Sequence, residues 1–146
     1  MTEFDIQDML FSRFKTLNEV SEIEFLDTDG EGNYTNVHFP NVPFEIPEDK
    51  RWYDLTLVTN EPVSAAIMDG AQNRYTGVLY IDINTPQDSG EDEARNKYEW
   101  IARLFTRDMY IEDVVIMRCY VSTKGNETDH YRLQAAIEWT ADIDKE

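Results

Sequence analysis

Two parts of this sequence alternate apolar and polar residues with a period of two, and this patterning constrains the fold more than any other feature. Between Arg74 and Asn84, Leu79, Ile81 and Ile83 point one way while Tyr80, Asp82 and Asn84 point the other. Near the end, Val115, Met117, Cys119 and Val121 alternate on one run and Tyr131, Leu133, Ala135, Ile137 and Trp139 on the next. Successive side chains of a strand leave opposite faces of a sheet, so these runs predict strands with one buried face. The last two form a hairpin turned by Lys124-Gly125-Asn126-Glu127. Trp52 to Thr59 has a β-rich composition and predicts a further strand, and Tyr34 to Phe39 a short one.

Two segments carry the helical period instead. Ile6, Met9, Leu10, Phe14 and Leu17 form one apolar stripe between Thr2 and Asn18, with Thr2 and Asp5 as a capping signal. Ala94, Lys97, Tyr98, Ile101, Leu104 and Phe105 share a face between Glu91 and Phe105, Lys97 through its aliphatic stem. Ser89 or Asp88 caps this second helix, and Glu91, Asp92 and Glu93 lie at the positive end of its dipole. Pro40, Pro43 and Pro47 exclude helix from the stretch between, where Val42, Phe44 and Ile46 alternate in an extended segment.

Helix, strands, helix and hairpin with short connections predict an α+β fold. It is an antiparallel β-sheet of about four to five strands with two α-helices packed on one face. The other sheet face is polar and open to solvent or to a neighbouring subunit. A chain of 146 residues suits a single domain, 1–146, whose core needs no disulfide, and Cys119 stands alone. Residues 141–146 are polar and read as a frayed tail. Residues 60–73 read as a projecting loop or arm with an apolar centre, Val63-Ser64-Ala65-Ala66-Ile67-Met68. Two readings stand for it: a candidate subunit interface made by Val63, Ala65, Ala66, Ile67 and Met68, or a loop folded back on its own core.

Thirty acidic residues against 13 basic ones leave a net charge of −17, which repels nucleic acid. At 41% apolar and 12% aromatic, the chain is nonetheless too hydrophobic for a disordered acidic tail. No apolar run approaches a membrane span, and no secretory signal opens the sequence, so synthesis and folding are expected in a cytoplasm.

Catalytic chemistry finds little support. His38, beside Pro40, and His130, beside the hairpin turn, read as surface or structural residues, and Cys119 as a small buried hydrophobe. The chain has no nucleophile elbow, phosphate loop, dinucleotide fingerprint or zinc-protease motif. Asp27 to Asn33 spaces oxygen ligands like a calcium loop, but Gly30 comes too early and His38 stands where the bidentate Glu is required. It reads as a solvated acidic loop, and neither cofactor nor metal is expected. Trp52, Trp100 and Trp139 lack the basic surroundings of a nucleic-acid stacking platform.

Taken in order, Pro40 to Pro47, the strand Trp52 to Leu57, Arg74 to Ile83, Pro86, Gly90, the helix ending in Phe105 and the final hairpin resemble the tail terminator-like proteins of long-tailed bacteriophages. The resemblance covers most of the chain and rests on turn and core positions. It implies a structural virion protein, without catalytic residues, that forms a homo-oligomeric ring, usually a hexamer. The ring caps the head-proximal end of the tail tube, stops its polymerisation and offers a surface to head-completion or neck proteins. It also implies that genomic DNA passes through the lumen without specific binding, a role for which acidic residues lining the bore are suited. The rival readings are a neighbouring neck or head-tail connector protein, an acidic DNA-mimic inhibitor and, last, an enzyme.

Overall fold

A computed structural model describes residues 3–21, 25–64, 72–87 and 91–144. The first helical stripe forms α1, Glu3–Phe14, and a separate single turn, α2, Leu17–Val20. Between them the Thr16 hydroxyl donates to the Arg13 carbonyl at 2.7 Å, a local bond that competes with helix continuation. One helix to Asn18 was expected, so this break is a correction. Thr2, the expected cap, lies outside the described residues, as do Asp88 and Ser89 before the third helix.

The expected strand at Tyr34 to Phe39 shrinks to β1, Val37–His38. It is followed by β2, Trp52–Thr59, β3, Val63–Ser64, and the long β4, Gln72–Pro86. Helix α3, Glu91–Leu104, leads to a short strand the periodicity did not reveal, β5, Tyr110–Ile111. The hairpin is β6, Val114–Asn126, with β7, His130–Asp144.

These strands make a seven-stranded sheet in the order β1-β2-β4-β7-β6-β5, with β3 pairing β4. The α+β class holds; the strand count is higher than expected, and the sheet is mixed because β1 runs parallel to β2. The additional strands are two-residue edge pieces, too short for alternation to betray them.

The hairpin departs from expectation in three ways. Ile116 is fully buried and Met117 is 47% exposed, the reverse of the predicted face, because a bulge between Ile116 and Arg118 shifts the side-chain alternation. The turn falls at residues 127–129, where the Glu127 N–H donates to the His130 carbonyl at 2.7 Å, while Lys124 and Gly125 still pair with Leu133 and Arg132. Finally, residues 141–144 are not frayed. Ala141 and Ile143 continue the inward face of Trp139 and are buried, while β7 pairs with β4 out to Asp144.

The helices and the covered sheet face enclose one core, in which Ile6, Leu10 and Phe14 of α1 meet Ile101 and Leu104 of α3 and Leu79, Ile81 and Ile137 of the sheet. The Tyr53 ring lies 5.8 Å from that of Phe14 and 6.0 Å from that of Phe25. Gly77 pairs with Trp139 across the sheet, and a Cβ there would collide with the Val58 carbonyl and lie 2.6 Å from the indole. Only glycine lets the β2 backbone and the Trp139 ring approach β4 this closely.

Four variants test this packing, each read by thermal or denaturant unfolding. Trp139→Ala and Phe105→Ala each cost about 3–5 kcal/mol, the range for deleting a buried aromatic ring. Gly77→Ala costs about 1–3 kcal/mol through overpacking. Ending the chain at Thr140 removes the buried Ile143 and costs at least about 2 kcal/mol; unchanged melting would contradict its place in the sheet.

Candidate assembly surfaces

The polar sheet face carries a series of ion pairs and hydrogen bonds. Asp54 anchors one end: its Oδ2 accepts from Trp52 Nε1 and Asn84 Nδ2, each at 3.1 Å, and its Oδ1 lies 3.0 Å from His38 Nδ1. Phe44 stacks on the His38 ring at 5.0 Å, and His130 packs against Trp52 at 4.8 Å while its Nδ1 lies 2.8 Å from Asp129. Both histidines thus pack against an aromatic ring and meet a carboxylate, His38 at Phe44 and Asp54 and His130 at Trp52 and Asp129.

Along the same face, Gln134 Nε2 donates to Asp82 at 2.8 Å and its Oε1 accepts from Ser122 at 2.6 Å. Arg118 pairs with Glu138, and Arg74 holds Asp142 through two bonds of 2.9 and 3.2 Å. Burial pushes the Asp82 carboxyl above its usual range, against the opposing pull of Gln134 and Arg132. Cys119 is mostly enclosed against Tyr98, and burial raises its thiol to about 11, which suits a packing residue and not a nucleophile.

The acidic loop at Asp27 to Asn33 satisfies itself. Asp29 Oδ1 accepts from the N–H groups of Glu31 and Asn33 at 2.8 and 3.2 Å, and its Oδ2 accepts from Asn33 Nδ2 at 3.1 Å. Among the described residues no group of three or more His, Cys, Asp and Glu is placed to hold a metal ion.

Two hollows flank the sheet. One, about 510 Å³, lies between α3 and β6, with Glu91, Arg95, Tyr98 and Glu99 on the helix side, Val121 to Lys124 on the strand side and Leu133 at the base. The other, about 700 Å³, opens at the end of the sheet near Val78, Met117, Arg107 and Arg118. Of the expected interface residues, Val63 lies in β3 at 60% exposure, whereas Ala65, Ala66, Ile67 and Met68 lie outside the described residues. The alternation places both Met117 and Val121 in the core; the bulge turns Met117 outward, whereas Val121 stays opposite Ala135 on the helix-covered side and is exposed where the groove opens.

Residues 5–139 match the family described as phage tail terminator protein. The chain belongs to that family. It is a structural phage tail protein, a virion component that interacts with other tail proteins, and its family is not one of enzymes. A solved protein structure superposes on it with a TM-score of 0.61, covering 96% of this chain and 98% of its own at 16% identity, a likeness of fold alone. No curated protein matches the chain in sequence.

The raised Asp82 carboxyl gives a signed expectation. A folded-state pKa above the unfolded value penalises folding at neutral pH, and the penalty fades as pH falls through the raised folded pKa toward the unfolded one near 3.8. Asp82→Asn, which keeps an acceptor for Gln134, therefore raises stability at pH 7, and the gain disappears near pH 4. Denaturant unfolding at both pH values checks it; a loss at pH 7 would mean that the Arg132 pairing outweighs desolvation.

Proposed function

We propose that this chain forms a closed ring, six-fold in symmetry, on the head-proximal end of the completed tail tube, where it ends tube polymerisation and presents a surface to head-completion or neck proteins. The observation that carries this reading is the family match over residues 5–139, which leaves little of the chain outside the terminator pattern. The exposed apolar Val63, at the start of an uncharged run to Met68, supports self-association, since an apolar segment left in solvent is more useful against a neighbour. We place Val63, Ala65, Ala66, Ile67 and Met68 at the subunit interface.

The charge fits the same role. A bore lined with carboxylates repels the duplex passing through it and prevents its retention on the ring, while the remaining acidic surface keeps subunits soluble before assembly in the host cytoplasm. A ring structure with a neutral or basic bore would refute this part of the proposal.

Light scattering of the purified protein, with and without isolated tail tubes, tests the ring. A discrete oligomer, free or bound at one tube end, is expected. Protein that stays monomeric and never associates with tubes would overturn the reading. Ala65→Asp leaves the melting temperature unchanged and weakens the association at least tenfold; normal rings from that variant would remove the arm from the interface.

A further inference from the structure

The sheet leaves one long edge uncovered. On the side of β6 away from β7, β5 pairs only with Val114 and Val115, and the Asp108 and Met109 backbone reaches only to Ile116. From Met117 to Asn126 no further backbone partner lies along that side among the described residues. Unpaired N–H and C=O groups in a row are a template for another strand. Beside this edge runs the 510 Å³ groove, so an extended segment added to β6 would lie between a strand and a helix, with alternate side chains directed at Tyr98, Val121 and Leu133.

We propose that this groove receives the arm of the next copy, residues 63–68, as an added strand; the inference rests on the ring reading and specifies its interface. Three observations select this occupant. First, Val63 to Met68 is six residues without a charge, and Val63 and Ser64 are already extended in β3. Second, the chain's own arm cannot fill its own groove. The arm leaves the sheet beside Arg74 and Asp142, and the groove lies at Leu133, which pairs with Ile83. Nine residues of β7 separate Leu133 from Asp142, roughly 30 Å at about 3.4 Å per residue. The arm must also return to Gln72, so it cannot span that distance. Donor and acceptor at opposite ends of one sheet define a heterologous contact, the kind that closes into a ring.

Third, electrostatics favours this place for contact between like-charged copies. In a chain of net charge −17, the groove walls carry Glu91 and Glu99 against Arg95 and Lys124 and are locally neutral. Lys124 Nζ already meets Glu91 at 2.6 Å, so the walls offer paired charges and an apolar base to an uncharged segment.

The test uses full-length protein carrying Cys119→Ser, so that introduced thiols are the only ones. With Ile67→Cys and Val121→Cys in one chain, mild oxidation is expected to give a ladder of disulfide-linked oligomers ending at the ring size. Separately, Val121→Asp and Ile67→Asp each weaken self-association at least tenfold without changing the melting temperature. An equimolar mixture of these two Asp variants recovers one good arm-to-groove contact and stops at dimers. Rings that form with no linkage between positions 67 and 121, and that tolerate Val121→Asp within twofold, would overturn the groove while leaving the ring reading intact. Normal rings from Val121→Asp that no longer bind tail tubes would also overturn it, assigning the groove to a tube protein segment. Protein that associates neither with itself nor with tubes would overturn both.

Discussion

Everything in this domain is referred to the pairing of β4 with β7, a fifteen-residue antiparallel ladder running from Gln72 opposite Asp144 to Pro86 opposite His130. These two strands occupy the middle of the sheet, so β2 and β3 attach to one side and β6 to the other. The inward side chains of the pair, among them Leu79, Ile81, Ile137 and Trp139, are the floor on which both long helices rest. The ladder also sets a tight steric condition. At Gly77 the β2 carbonyl of Val58 and the Trp139 ring crowd the position where a side chain would begin, so one missing Cβ lets a large ring and two strands share the same space. Among the described residues Trp139 Nε1 has no hydrogen-bond partner, so its indole contributes there by packing.

How far the sequence discloses such a fold depends on whether a local pattern repeats long enough to be read. Trp52–Thr59 and Glu91–Leu104 stand where composition and period place them, because each has a full run of residues on one buried face. Val37–His38, Val63–Ser64 and Tyr110–Ile111 exist because a neighbouring strand offers free backbone groups, a tertiary cause with no local signature. The tail was misread through its Asp and Glu residues, although Ala141 and Ile143 hold the same phase as Trp139. In β6 the predicted face fails at Val115 and Met117 and holds again at Cys119, which lies opposite Ile137 and packs against the core, because the bulge between Ile116 and Arg118 exchanges inside for outside.

The candidate surfaces were less legible than the core for a related reason. The arm announces itself by being apolar where turn residues are expected, so Val63 could be found in the sequence. The groove is made by side chains from α3, β6 and β7 that lie far apart in sequence, and nothing in Glu91, Tyr98 or Val121 taken singly marks them as neighbours. Likewise, the position of Asp54 as acceptor for Trp52 and Asn84 follows only from the register of β2 on β4.

The arrangement of charge bears on whether a subunit of −17 can make the ring proposed for it. Like-charged copies repel over about a Debye length, roughly 8 Å at physiological salt, so a contact is least opposed where charges are already paired within each copy. The basic residues are placed accordingly: Arg74, Arg118 and Lys124 each hold a carboxylate on or beside the sheet, leaving much of the excess acid to loops, as at Asp29, Glu31, Glu48 and Glu112. Exposed pairs of this kind add little to folding stability, because water screens them. Their larger consequence is to make the sheet and the α3 groove neutral ground within an acidic surface. In the proposed ring, contact would thereby be directed to these surfaces while the rest of the molecule repels, which would favour a specific closed assembly over indiscriminate association.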